Sequence, residues 1–354
     1  MHICFTVSAM QTGGAERVVS TLSNELAVLG HKVTIIMVSV SQKESVYKLN
    51  ENVELFALCE GYKNRVFPTK RVRILQRKVL DIKPDIVIAF LPHICVYTWA
   101  ALKNTNVPFI VSERNDPNQY SKVYKLLIKQ AFNKANGCVF QTHDELNWYR
   151  KKPRITDRVI FNVVGLTYTP EINENINKKQ NVIFVGRIDA QKNYQLLLKA
   201  FSIFLDQHTG FVLDIYGDGP EKETFLSLAS EMNLMDNIRY HGRSLTWHRD
   251  EFNAGMFVST SDYEGMSNSL EEAATLGIPC VATDCPIGGS RELANVFDNI
   301  MLSPVGDAQL FANQMEKAFA MNVSFNGINE KVSKAVVVGQ WLSLIEQLVS
   351  DRNI

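Results

Sequence analysis

Short apolar runs alternate with longer amphipathic stretches along most of the chain, in a fixed order. Residues 3–7, Ile-Cys-Phe-Thr-Val, read as a buried strand. A glycine turn over residues 11–17 then opens a helix in which Val18, Leu22, Leu26 and Leu29 recur at helical spacing. Gly30 stops it, and residues 33–38 give the next strand. Strand, helix and strand of this length make a βαβ unit and imply a parallel sheet. Further strands are predicted at 53–58, 86–90 and 109–112. Residues 162–180 have weak periodicity, one proline and several asparagines, and read as the connection between domains. A second series follows, with strands at 182–185, 211–216, 238–242 and 256–258 and a helix at 196–204. An amphipathic helix at 340–348 closes the chain. The pattern predicts an α/β protein of two doubly wound domains, residues 1–165 and 166–354.

The candidate chemistry falls in the turns where these strands end. The stretch 260–277, TSDYEGMSNSLEEAATLG, follows an apolar strand and runs from a polar loop into a helix. Asn268 or Ser269 can cap that helix, with Glu271 or Glu272 at capping-box spacing. A helix start offers amide N–H groups that hold phosphate. Glu264 and Glu272, eight positions apart, would repel a phosphate but accept hydrogen bonds from sugar hydroxyls. A capped helix with a solvated acidic face fits the same string. Arg187 and Lys192 are five positions apart after Gly186, where two cations can clamp a departing diphosphate, although loop cations are usually only solvated. Gly217 and Gly219 leave room for a nucleotide base. Gly13 and Gly14 allow close backbone approach, but the turn lacks the G-x-G-x-x-G spacing of nicotinamide sites. The loop Ser112-Glu113-Arg114-Asn115-Asp116-Pro117, at the carboxyl end of a strand, is too polar to be filler; His93 follows the preceding strand.

Composition narrows the class. The chain has 354 residues, 46% hydrophobic and 21% charged, as in a soluble globular protein of two domains. No apolar run is long enough to span a bilayer, and the start, MHICFTVSAM, reads as a strand and not a signal peptide. Six cysteines without zinc-ligand spacing read as reduced core residues of a cytoplasmic protein. No Asp-x-Asp motif sits near a strand end, so no metal dependence is expected. The net charge of zero hides an asymmetry: residues 1–160 hold 23 Lys+Arg against 13 Asp+Glu, or +10, and the remainder is −10. Basic residues cluster at Lys63, Arg65, Lys70, Arg71, Arg73, Arg77 and Lys78, at Lys122, Lys125, Lys129 and Lys134, and at Arg150, Lys151, Lys152 and Arg154, with aromatic residues interleaved. That pattern suits an anionic membrane surface. No nucleic-acid reading motif is present.

The spacing of Glu264 and Glu272 is the E-x7-E signature of retaining glycosyltransferases of family 4. Residues 277–282, Gly-Ile-Pro-Cys-Val-Ala, and 284–286, Asp-Cys-Pro, are also similar to that family, and the resemblance covers essentially the whole chain. It implies a GT-B fold, two Rossmann-like domains facing a cleft, with the last helix crossing back onto the first domain. It also implies roles in the second domain. Gly186, Arg187 and Lys192 would meet the donor's pyrophosphate. Gly265, Met266, Ser267 and Asn268 would carry the phosphates at the helix start. Glu272 would bind the ribose, and Glu264 would lie near the donor sugar. Gly13 and Gly14 would face the cleft. The Ser-Glu-Arg-Asn-Asp-Pro loop resembles that of members that transfer N-acetylhexosamines to lipid-linked glycans. Relatives carry a donor-contacting histidine on this loop; none is present here, and Glu113, Arg114 or His93 would replace it.

The expected activity is transfer of a sugar, with retention, from a UDP-sugar to a polyprenyl-diphosphate glycan. UDP-N-acetylgalactosamine or its gluco epimer is the favoured donor, with no cofactor beyond the donor and no protein nucleophile. The expected location is the inner face of the cell membrane. A UDP-sugar 2-epimerase-like enzyme and a non-catalytic sugar-nucleotide binding protein are the alternatives.

Overall fold

The computed structural model describes all residues except 62–66, 167–177, 323–324, 326–327 and 352–354. The chain divides into two compact units, Met1–Gly165 with Val332–Ile354, and Leu166–Lys331. The first is built on seven strands: β1 (His2–Val7), β2 (Lys32–Met37), β3 (Val53–Ala57), β4 (Ile86–Phe90), β5 (Phe109–Ser112), β6 (Gly137–Phe140) and β7 (Asp157–Val159). They are all parallel, in the order β3-β2-β1-β4-β5-β6-β7. Register is continuous across the centre, with Phe5 opposite both Ile35 and Ile88.

The central strands β1, β2 and β4 read as apolar runs because both faces of the sheet are covered. Ile3, Phe5, Ile88 and Phe90 enter one core with the Gly14–Val28 helix and the last helix, Lys334–Ser350. Cys4, Val87 and Ala89 enter another, under the helices Pro68–Ile82, Pro92–Leu102 and Lys122–Lys134. The last helix therefore belongs to the first unit. Its Trp341 is fully buried and stacks on Phe90 at 5.6 Å between ring centroids.

The second unit has six strands: β8 (Asn181–Val185), β9 (Val212–Tyr216), β10 (Ile238–Gly242), β11 (Met256–Ser259), β12 (Cys280–Thr283) and β13 (Ile300–Ser303). These are also all parallel, ordered β10-β9-β8-β11-β12-β13. Its core joins Val182, Phe184, Leu213 and Val258 to the helices Tyr194–Leu205 and Ala308–Phe319. Both sheets have the Rossmann-like order, in which the chain steps to one side of its first strand and then to the other.

The first stretch of the first unit ends at Gly165, inside the segment 162–180 that the sequence reads as the connection. Val163 and Val164 are buried in the first core, and buried Asn162 accepts hydrogen bonds from Arg114 and Gln141. The start of the expected connection is thus part of the first unit, while its middle lies outside the described residues. All six cysteines are buried and unpaired. No helix among the described residues is long and apolar enough to cross a membrane.

Candidate functional site

In the second sheet β8 and β11 lie side by side, and the chain leaves them in opposite directions, β8 toward β9 and β11 toward β12. Loops at the carboxyl ends of such a strand pair open a crevice. Here those loops are residues 186–193 and 260–267, and hydrogen bonds bind them to each other. Thr260 Oγ1 donates to the Lys192 carbonyl at 2.8 Å, Gln191 Nε2 to the Tyr263 carbonyl at 3.0 Å, and Asn193 Nδ2 to Asp262 Oδ1 at 2.6 Å. The Asp262 amide donates to the Gln191 carbonyl at 2.9 Å. Asn193 takes a left-handed conformation, φ 45°, and its side chain caps the Tyr194–Leu205 helix.

Within this frame the two candidate charged residues meet. Lys192 Nζ lies 2.7 Å from both carboxylate oxygens of Glu264. Their side chains are 14% and 21% exposed, so the pair is partly shielded from water. Ser261 Oγ donates to Glu264 Oε2 at 2.8 Å. Arg187 is oriented by Asp189, which also accepts from the Lys192 amide, and its own side chain is 66% exposed.

The following helix, Asn268–Thr275, is capped by Ser267, whose hydroxyl accepts from the Leu270 amide at 3.4 Å. This corrects the cap expected at Asn268 or Ser269: the helix begins one residue earlier, which moves Glu271 and Glu272 past capping-box spacing. Met266, Ser267 and Glu272 are buried, whereas Asn268 is half-buried.

The glycines at the strand ends make close backbone contacts. A Cβ at Gly217 would overlap the Gly186 carbonyl oxygen, and one at Gly219 would overlap that of Ile188. They let the β9 turn press backbone against backbone onto the β8 loop. Gly289 does the same for Gly265, whose carbonyl lies where its Cβ would be. Asp189, Gln191, Asn193, Asp262 and Gly289, which the sequence reading did not single out, hold the site. The signal for the first four was polar residues clustered at strand ends.

In the first unit, Gly13 caps the Gly14–Val28 helix and exchanges hydrogen bonds with the Tyr47 hydroxyl, at 3.1 and 2.9 Å. His93 sits at the start of the Pro92–Leu102 helix, half-buried, and burial and nearby Arg71 lower its pKa. Glu113 is fully buried, not presented to a ligand. Its carboxylate accepts from the Tyr149 hydroxyl, from the Arg114 and Asn115 amides at 2.9 and 3.1 Å, and from Tyr120. It fixes the Ser-Glu-Arg-Asn-Asp-Pro loop from inside. The Arg114 guanidinium stands over Phe90 at 4.6 Å and donates to Asn162.

Burial pushes the Glu113 carboxyl up to about 7, although its donors pull the other way, and burial also raises neighbouring Glu145. A raised folded-state pKa favours folding below the unfolded value, and the benefit is lost as pH climbs through the folded value. Stability is therefore expected to fall between about pH 5 and 7, by up to about 3 kcal/mol from Glu113. Urea unfolding midpoints across that range should flatten in Glu113→Gln; an unchanged slope would refute the assignment.

The third basic cluster also changes meaning. Arg150 is buried, with Nε 3.1 Å from Asp157, and Arg154 reaches the same carboxylate at 2.9 Å. These two arginines hold the segment before β7 and do not form a free cationic face. Lys63 and Arg65 of the first cluster lie outside the described residues. Among the described residues no group of three or more His, Cys, Asp or Glu is placed to hold a metal ion.

The Glycosyltransferase Family 4 model matches residues 12–167, and the Glycosyl transferases group 1 model matches residues 169–335. The chain belongs to the family 4 glycosyltransferases. An uncharacterized glycosyltransferase of Haemophilus influenzae is 24% identical to it over 96% of this chain and 98% of its own. A Campylobacter jejuni N-acetylgalactosamine-N,N'-diacetylbacillosaminyl-diphospho-undecaprenol 4-alpha-N-acetylgalactosaminyltransferase is 25% identical over 81% of each chain. Among solved structures, a Staphylococcus aureus TarM variant in complex with fondaparinux, alpha-GlcNAc-glycerol and UDP superposes with a TM-score of 0.77 and 15% identity, covering 97% of this chain and 99% of its own. The glycosyltransferase described here thus has the GT-B pair of Rossmann-like domains.

Proposed function

We propose that this glycosyltransferase moves an N-acetylhexosamine from a UDP-sugar to a lipid-linked or growing polysaccharide acceptor, with retention at the anomeric carbon and without a metal. The observation that carries the reading is the Lys192–Glu264 pair, held at the switch point of the second sheet beside the Ser267-capped helix. The UDP in the TarM complex and the diphospho-undecaprenol acceptor in the name of the Campylobacter relative support the donor and acceptor classes.

In this reading Lys192, Arg187 and the amides at the start of the Asn268–Thr275 helix receive the diphosphate. Glu264 then gives up part of its hold on Lys192 and accepts a hydroxyl of the sugar, and Glu272 takes the ribose. As the C1–O bond to UDP breaks, negative charge grows on the β-phosphate, where the cations stabilise it. The acceptor oxygen bonds to C1 on the same face, and its proton passes to the departing phosphate oxygen.

The test is a donor panel with and without a polyprenyl-diphosphate glycan acceptor, read by mass spectrometry, with the product anomer read by NMR. Acceptor-dependent transfer of one N-acetylhexosamine, in the α configuration and unaffected by EDTA, is expected. Free epimerised sugar nucleotide formed without acceptor would replace this reading with a 2-epimerase. Binding of UDP-sugar with no turnover under any condition would replace it with a binding protein.

A further inference from the structure

We propose that the outward face of the Lys122–Lys134 helix docks this protein on an anionic bilayer, with Val123, Leu126 and Leu127 entering the headgroup–acyl boundary and Lys122 and Lys129 at headgroup level. The helix turns Ile128, Ala131 and Phe132 into the core of the first unit. At about 100° per residue, Val123 and Leu126 fall on the side opposite those three. They are 71% and 70% exposed, and Leu127 beside them is 40% exposed. Residues at i, i+3 and i+4 on a helix touch, so the three form one patch and not scattered surface residues.

The chemistry around the patch selects the occupant. Lys122 and Lys129 border it, with Lys129 Nζ 4.1 Å from the centre of the Trp148 ring. An apolar stripe edged by lysines and a tryptophan matches the headgroup boundary of an anionic membrane. A second copy of this chain would set the same lysines against each other.

Position supports the same occupant. The helix follows the β5 loop directly, so its first turns, which carry the apolar residues, lie at the carboxyl end of the first sheet, where ligands enter. Phe67, 77% exposed, stands at the start of the Pro68–Ile82 helix, at the same end and under the same face of that sheet. Arg150 and Arg154 are committed to Asp157, whereas this helix keeps apolar and cationic groups exposed side by side. The benefit to catalysis rests on the reading that the acceptor is lipid-linked; the docking itself does not.

The test uses the full chain in flotation with vesicles of phosphatidylcholine alone and with about a third phosphatidylglycerol. The protein is expected to float with the anionic vesicles only. Val123→Asp/Leu126→Asp should lower the bound fraction at least about tenfold, with transfer to a water-soluble acceptor analogue unchanged. Lys122→Glu should weaken binding and flatten its salt dependence. The proposal is overturned if the double variant floats as well as the parent, if the parent does not float, or if the parent is a dimer that the double variant splits. Flotation without transfer to any acceptor would instead refute the proposed function and leave the docking surface standing.

Discussion

Lys192→Met is expected to lower kcat/KM about 10²- to 10³-fold, with most of the loss in kcat and the unfolding transition little changed. A partly shielded ammonium at the crevice is worth more to a developing phosphate charge than to the resting protein, because charge stabilisation grows as water is excluded. In the resting site the same ammonium is matched by Glu264 at 2.7 Å. Its removal leaves Glu264 without its counter-charge, which is a second way to lose activity. A double-mutant cycle separates the two. If Lys192 acts only by holding Glu264, Lys192→Met on a Glu264→Gln background should cost nothing more. If it meets the diphosphate, most of its effect should persist there and UDP should bind more weakly. Unaltered kinetics in the single variant would end the proposed reading of the site.

Gly217→Ala is expected to destabilise the second unit by about 3 kcal/mol and to abolish measurable UDP binding. The new methyl would overlap the Gly186 carbonyl oxygen, which is backbone and has no alternative rotamer. To make room, the β9 turn and the β8 loop must separate. That breaks the 3.0 Å bond from the Gly186 amide to Tyr216 and tilts the loop that carries Arg187 and Lys192. Gly186→Ala provides the contrast. Its nearest neighbour is Lys192 Cε at 3.2 Å, on a flexible side chain that can give way, so it should fold normally and lose only part of its activity. Hydrogen exchange of the second unit, compared for the two variants, reads the difference. Equal behaviour would show that the contact between these loops does not set their shape.

Much of the architecture is legible in the sequence. The central strands β1, β2, β4, β8 and β9 announce themselves as apolar runs because both faces of a parallel sheet are covered. Short strands such as β7 and β13 did not stand out. Each has only three or four residues, and β7, Asp-Arg-Val, has no apolar run at all. It is a strand because β6 offers it a partner and because Asp157 anchors two arginines. The acid and base of the candidate site were legible as residue types at strand ends, but their partnership was not. Lys192 and Glu264 are 72 residues apart, and only the adjacency of β8 and β11 brings them together.

The sequence by itself determined the class: two runs of strand and helix, polar residues where strands end, and a spacing of acids that marks the family. Those are local properties, set by periodicity and turn chemistry within a few residues. Tertiary structure decided what each marked residue does. It buried Glu113 as an internal tie and set Gly217 and Gly219 against the backbone of the β8 loop. It also spent Arg150 and Arg154 on Asp157 while leaving Val123 and Leu126 facing outward. Burial and charge pairing depend on which distant segment arrives opposite a side chain, and no local pattern encodes that.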